Sequence, residues 1–254
     1  RGLGDVYKRQ SRGIGKSIAN KIAEDGANVV LFARSKSDTS HHMLDGTTMQ
    51  VEEEIIKNGG TAFAVYADVS SSSSVKSAVE KSVERFGTID AVINNASSIS
   101  IEKIPKSSKY NMMMDTNVRG TADMIRYSHK YMSNSDLRHV LSISPPLSTL
   151  DKKWLHPHPI YTTSKYAMSM VTLGFSDVLR ANTVWPKKLI ATAATKMLEK
   201  NTSIPAYSKG LPAQAFATVV HNILCSDMQG ISCLDDDIIK AVSYTHLRAH
   251  ETFG

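Results

Sequence analysis

At 254 residues, with 30 Lys and Arg against 24 Asp and Glu for a net charge of +6, the chain is long enough for one large α/β domain or two small ones. No run approaches the ~20 apolar residues needed to cross a bilayer, and no apolar secretory core lies in the first ten residues. The two cysteines, Cys225 and Cys233, are too few for a disulfide framework or a zinc site and read as packed thiols in a reducing compartment. The basic residues are scattered rather than gathered on a stripe, which argues against a nucleic-acid partner.

The chain opens RGLGDVYKRQSRGIGKSIAN. Its second half reads as a glycine turn running into a helix over Lys16–Asp25 that Gly26 ends. Asn28–Arg34 (NVVLFAR) is a β-rich apolar run. Thr47–Lys57 has helical spacing, closed by Gly59-Gly60, and Thr61–Val69 is the next strand. The serine run Ser70–Ser74 reads as a helix start, because serine oxygens accept from the free N–H groups of a first turn. Val75–Phe86 continues that helix. Ile89–Asn94 is a strand, Met112–Met132 is largely helical, His139–Ile143 a strand and Thr162–Leu179 a helix. Asn182–Trp185, Ala213–Cys225 and Gly230–Leu234 follow as strand, helix and strand. Alternating helices and continuous apolar strands predict a doubly wound, Rossmann-type parallel sheet in a single domain. In such sheets ligands bind at the carboxyl ends of the strands.

The residues just after those strands carry the chemistry. Gly13 and Gly15 let backbone approach a pyrophosphate at a helix N-terminus. Gly-Ile-Gly-Lys-Ser also resembles the end of a P-loop, but that pattern needs glycine at position 10 and Gln10 is there. Asn95-Ala96-Ser97 follows one strand, and Ser144-Pro145-Pro146 follows another. Tyr161 and Lys165 lie four apart, on one helix face. An ammonium beside a phenol favours the phenolate, which suits proton exchange with a substrate oxygen. Alone, this spacing better describes a tyrosine ring packed on a lysine stem.

Taken in order, S-R-G-I-G (11–15), D-V (68–69), N-N-A-S (94–97), N-V-R-G (117–120), S-I-S (142–144) and Y-T-T-S-K (161–165) resemble the short-chain dehydrogenase/reductase family, from about Ser11 to Lys240. The resemblance implies Tyr161 as acid/base and Lys165 as the residue that holds the nicotinamide ribose and lowers the tyrosine pKa. It implies Asn117 as organiser of a water relay to that lysine. Ser11, Arg12, Gly13, Ile14 and Gly15 would cradle the pyrophosphate. Asp68 and Val69 would meet the adenine, Asn95 and Ala96 the cofactor ribose, and Thr192 the nicotinamide amide. It also implies a lipid-like or steroid-like substrate, a peroxisomal or mitochondrial location, and a homo-oligomer through the helices bearing Asn117 and Tyr161. Cofactor choice has its own argument. An acidic residue ending the 28–34 strand would select NAD. Arg34 stands there and Arg12 lies in the turn, so a 2′-phosphate, and hence NADP, is expected.

The pattern breaks in four places. Pro145 occupies the position of the family's catalytic serine and has no hydroxyl to offer; Ser144 is the expected stand-in, with Ser148 thirteen residues before Tyr161. The connection around Leu179–Asn182 is short, which predicts a strand pulled out of register. RGLGDVYKRQ (1–10) replaces the expected first strand, and VSYTHLRAHETFG (242–254) resembles nothing in the family. Both ends read as non-native sequence flanking a catalytic domain over 11–241. Without its central first strand such a chain is expected to fold poorly or to bind cofactor weakly. Two other readings stand beside the oxidoreductase: a non-catalytic NADP- or lipid-binding module, and a P-loop NTPase. Asp235–Asp237 reads as a solvated turn.

Overall fold

The computed structural model describes residues 13–34, 48–133, 135–201 and 205–240. The leader over 1–10, Ser11 and Arg12 of the turn, and the tail over 242–254 lie outside the described residues.

In chain order the elements are α1 (Ile14–Glu24), β1 (Asn28–Ala33), α2 (Thr48–Lys57), β2 (Thr61–Tyr66), α3 (Ser72–Phe86) and β3 (Ala91–Asn94). Then come α4 (Ser107–Met113), a π-helical segment Met114–Arg119, α5 (Gly120–Ser128), β4 (His139–Ile143), α6 (Lys152–Leu155), α7 (Pro159–Leu173) and β5 (Arg180–Trp185). The chain continues through β6 (Ile190–Ala191), α8 (Ala193–Asn201), β7 (Leu211–Pro212), α9 (Ala213–Leu224) and β8 (Ser232–Leu234).

Every strand pair is parallel, as continuous apolar strands require. Among the described residues the main sheet falls into two pieces, β1-β2 and β3-β4-β5-β8. Phe32 of β1 and Ile93 of β3 line one open pocket, so the two pieces face each other across it. Val30, Phe32 and Ile93 are only half-buried, although apolar residues at the centre of a doubly wound sheet are normally enclosed.

Helix α1 joins the two pieces. Its Ala19 and Ala23 pack with Leu31, Val51 and Ile55 on the β1-β2 side. Its Ile18 packs with Leu141, Val184, Phe216 and Val220 on the β3-β8 side. Helices α1, α2 and α9 thus cover one face. On the other, Ile125 of α5 packs with Val92, Val140 and Ala181, and Ala78 of α3 with Val65 and Ala67. This is the three-layer arrangement expected for the class.

Several boundaries differ from expectation for identifiable reasons. Helix α3 begins at the serine run as predicted, with Ser71 in extended backbone and its hydroxyl accepting from Ser74 N. The 61–69 strand ends at Tyr66, because Asp68 starts a turn in which its Oδ1 accepts from Ser70 N and Ser70 Oγ. Helix α7 starts three residues early, at Pro159, whose fixed φ suits a first turn. It stops at Leu173 rather than Leu179. β5 pairs in parallel with β4 from His139↔Arg180 through Ile143↔Val184. Asp235 is not solvated. It is 1% exposed and its Oδ1 accepts from Lys187 N and Asp236 N, tying the loop after β5 to the end of β8. Cys233 is buried as expected, but Cys225 is exposed at the end of α9 beside His221.

Candidate active site

The site is assembled at the carboxyl ends of β1, β3, β4 and β5. The glycine turn comes first. Gly13 has φ +58°, and a Cβ there would come within 2.9 Å of Thr192 Cγ2. Only glycine allows both that backbone and that approach. The turn and Thr192, nearly 180 residues apart, are thereby brought together. Thr192 also starts α8, its Oγ1 accepting from Thr195 N. Among the described residues helix α1 has no side-chain cap, which leaves its first-turn N–H groups available to an anion. Gly15 is buried and Ile14 packs against the core. Lys16 is held by Glu54 at 2.6 Å and keeps that carboxyl below the usual range. A lysine so occupied is not reaching for a nucleotide phosphate, which removes the basis of the P-loop reading.

A second pocket gathers Arg34, Asp68, Val69, Ala96 and Thr116. Arg34 follows β1 directly and its Nη1 lies 3.8 Å from Asp68 Oδ2, both side chains about one-third exposed. Gly120 seats α5 against this corner: a Cβ there would fall 2.6 Å from Val69 O. Arg119 Nη2 donates to Ser70 O at 3.0 Å and fastens the same turn. Asn95 follows β3 in a half-buried position, and the neighbouring Ser97 Oγ is buried with no partner among the described residues. A helix N-terminus without a cap, a glycine cradle, an orphaned hydroxyl and an apolar slot beside an arginine fit a dinucleotide.

Helix α7 carries the candidate chemistry and is fixed by polar ties to β4. Lys165 Nζ donates to Ile143 O at 2.6 Å and to Met168 Sδ, and lies 5.1 Å from the Trp185 ring centroid. Ser169 Oγ donates to Pro145 O. A buried chain runs from Asn94 Nδ2 to Ser142 Oγ, to Thr172 Oγ1, to Met168 O. Lys165 is 3% exposed, and burial pulls its ammonium down from 10.5 to about 7. Tyr161 sits half-buried in the first turn. Asn117 is fully buried in the π-helical segment. Its Oδ1 accepts from Ser98 N (2.7 Å), and its Nδ2 donates to Ser98 O and to Ser164 Oγ (both 2.9 Å). Ser164 Oγ in turn bonds Tyr161 O. The Asn117 side chain is thus committed to locking the loop after β3 onto the first turn of α7.

Ser144 differs from expectation. It is fully buried, its N–H donates to Val184 O, and its Oγ has no partner among the described residues. The strand end encloses it, and the hydroxyl exposed on that loop is Ser148. Sequence reasoning missed Ser98, Ser164, Thr116 and Trp185. Only Ser164, inside the Tyr-Thr-Thr-Ser-Lys run, carried a local signal.

This architecture is that of a nucleotide-binding α/β oxidoreductase, and the short chain dehydrogenase family model matches residues 9–199. The chain belongs to the short-chain dehydrogenase family. It is 43% identical over 194 residues to hydroxysteroid dehydrogenase-like protein 2 of Bos taurus, covering 74% of this chain and 46% of that protein. The chain therefore spans about half the length of the curated relatives it matches. The crystal structure of a short chain dehydrogenase from Mycobacterium thermoresistibile superimposes with a TM-score of 0.83 at 33% identity, covering 91% of this chain and 84% of that one. A metagenomic short-chain oxidoreductase in complex with NADP shares the fold, with a TM-score of 0.68 at 21% identity over 88% of this chain and 91% of that one.

Proposed function

We propose that the chain is an NADP-dependent oxidoreductase interconverting a hydroxyl and a carbonyl on a lipid-like or steroid-like substrate. The observation that carries this reading is α7. It carries Tyr161 and Lys165 one turn apart, and Lys165 Nζ ties it to Ile143 O at the end of β4. Gly13, Gly15 and the N–H groups of α1 would hold the pyrophosphate, with Asp68, Val69 and Ala96 around the adenosine and Arg34 toward a 2′-phosphate. When held there, the nicotinamide cofactor would supply the hydride. Tyr161 exchanges the proton at the substrate oxygen. Lys165, enclosed at the foot of the site, biases that phenol electrostatically. Asn117 acts through Ser164 and Ser98, holding Tyr161 in place. The names of the curated relatives, which mention a hydroxysteroid, support the substrate class.

A non-catalytic NADP-binding module is the second reading, favoured by Pro145 and by the enclosure of Ser144. One experiment separates the two. NADPH affinity is measured by energy transfer from tryptophan, and NADPH consumption is followed across a panel of lipid and steroid ketones. The oxidoreductase reading expects turnover that Tyr161→Phe lowers by about 10²-fold or more at unchanged NADPH affinity. Binding without turnover on any ketone establishes the module.

A further inference from the structure

Two loops leave the carboxyl ends of the adjacent strands β3 and β4: residues 95–106 before α4, and residues 144–158 before α7. His158 clasps them together, its Nδ1 lying 2.7 Å from Ile101 O. Around this clasp the protein exposes an unusual set of apolar side chains. Ile104 is 89% exposed, Leu150 52%, and Ile101 and Leu147 41% each. Isolated exposed apolar residues need no explanation, but several on clasped loops at the mouth of a site mark an interaction surface.

The charges between them narrow the partner. Each loop holds one acid, the first turn of α4 holds none, and both acids are committed. Glu102 pairs with Lys109. Asp151 accepts from Lys153 N to cap α6 and pairs with Lys153 Nζ. Lys103, Lys106 and Lys152 are exposed and make no ion pair among the described residues. Apolar tips interspersed with uncompensated lysines complement an anionic headgroup layer over acyl chains.

We propose that this face docks the protein on anionic phospholipid bilayers and places the mouth of the site against the membrane surface. The inference rests on the lipid-like substrate reading and extends it: a poorly soluble substrate enters from the bilayer rather than from water.

The test is co-sedimentation of the full chain with phosphatidylcholine vesicles, with and without phosphatidylserine. Binding is expected only with phosphatidylserine and should weaken with added salt. Each lysine near a charged surface contributes about a fivefold factor, so K103E/K106E/K152E is expected to weaken partition by about a hundredfold. Ile104→Ser should weaken it while leaving the salt dependence in place. K57E/K81E/K130E makes the same charge change elsewhere and should retain most of the binding. Circular dichroism verifies that each variant is folded.

Equal loss in both triple variants, or no binding to anionic vesicles, overturns the proposal. So does a concentration-dependent dimer that Ile104→Ser abolishes, which would assign the face to a second copy. NADPH consumption with a water-soluble ketone is measured in parallel. If turnover persists without vesicle binding, the docking inference fails and the oxidoreductase stands. If vesicles bind and no ketone is reduced, the reverse holds.

Discussion

Arg34→Gln tests the cofactor argument directly. Arg34 follows β1 directly and reaches Asp68 across 3.8 Å, with both groups about one-third exposed. A solvated pair of that length contributes under ~1 kcal/mol. Asp68 is held independently of it, with Oδ1 accepting from Ser70 N and Oγ and its own N–H donating to Ser74 Oγ. The guanidinium is therefore free to turn toward a phosphate at little cost, and losing it should not disturb the 68–70 turn. Charge-assisted bonds to a dianionic phosphate are worth roughly 1.5–3 kcal/mol. The substitution should thus weaken NADPH about tenfold to a hundredfold while leaving NADH within about twofold. The assay is a fluorescence titration with each cofactor, and Asp68→Asn is titrated alongside. Equal loss of both cofactors would show that Arg34 acts by supporting Asp68. Unchanged NADPH affinity would remove the basis of the NADP assignment.

Lys165→Met should abolish turnover yet stabilise the fold at neutral and lower pH. The folded-state value near 7 lies below the ordinary 10.5, so the folded chain binds fewer protons between the two. The cost of burying the ammonium is full below about 7 and fades as pH rises toward 10.5. It amounts to at most on the order of 5 kcal/mol, and melting curves at acid and alkaline pH should show the variant's advantage shrinking with pH. His139→Leu should flatten the acid limb of stability. Asn182 Nδ2 also serves Met228 O, and Asn182 Oδ1 accepts from Ile231 N, so the amide is oriented and His139 Nε2 must accept from it. Burial further lowers the imidazole from 6.5 to about 4. Wild-type stability is therefore complete above about 6.5 and lost as pH falls toward about 4; denaturant unfolding across that range should slope in the wild type and be nearly level in the variant. Ser144→Ala should stabilise by roughly 1 kcal/mol, because it removes an enclosed hydroxyl that has no partner among the described residues. Turnover should be unchanged, and a loss beyond about tenfold would return Ser144 to the reaction.

The apolar runs made the sheet legible, because a parallel strand buried on both faces leaves a continuous signature that survives even where its neighbour does not. His139–Ile143 was readable to the residue. Helix ends were less so: the early start of α7 lay in Pro159, and its early stop in a helix-to-strand connection whose length no local signal gives. The Tyr161/Lys165 pair was visible because it is local. Family likeness put Thr192 near the nicotinamide, but its approach to Gly13 was not legible, since nothing in either residue's neighbourhood predicts the other. The enclosure of Ser144 was not legible, because whether a serine at a strand end faces out or in depends on Val184 across the ladder. Asp235 misled for the opposite reason. Three successive aspartates read as a solvated turn, and the loop that consumes the first of them comes from residue 187.

The π-helical segment has a consequence for how this site can vary. Asn117 must face Ser98 and Ser164, while three residues on Gly120 must press on the carbonyl of Val69. Each residue of an ordinary α-helix advances by about 100°. Removing one residue from Met114–Arg119 to restore regular pitch would therefore turn one of these contacts about 100° away from its target. The bulge works as a vernier between two faces that a regular helix cannot aim at once. Insertions and deletions in this stretch should be rejected even where substitutions of its exposed side chains are tolerated.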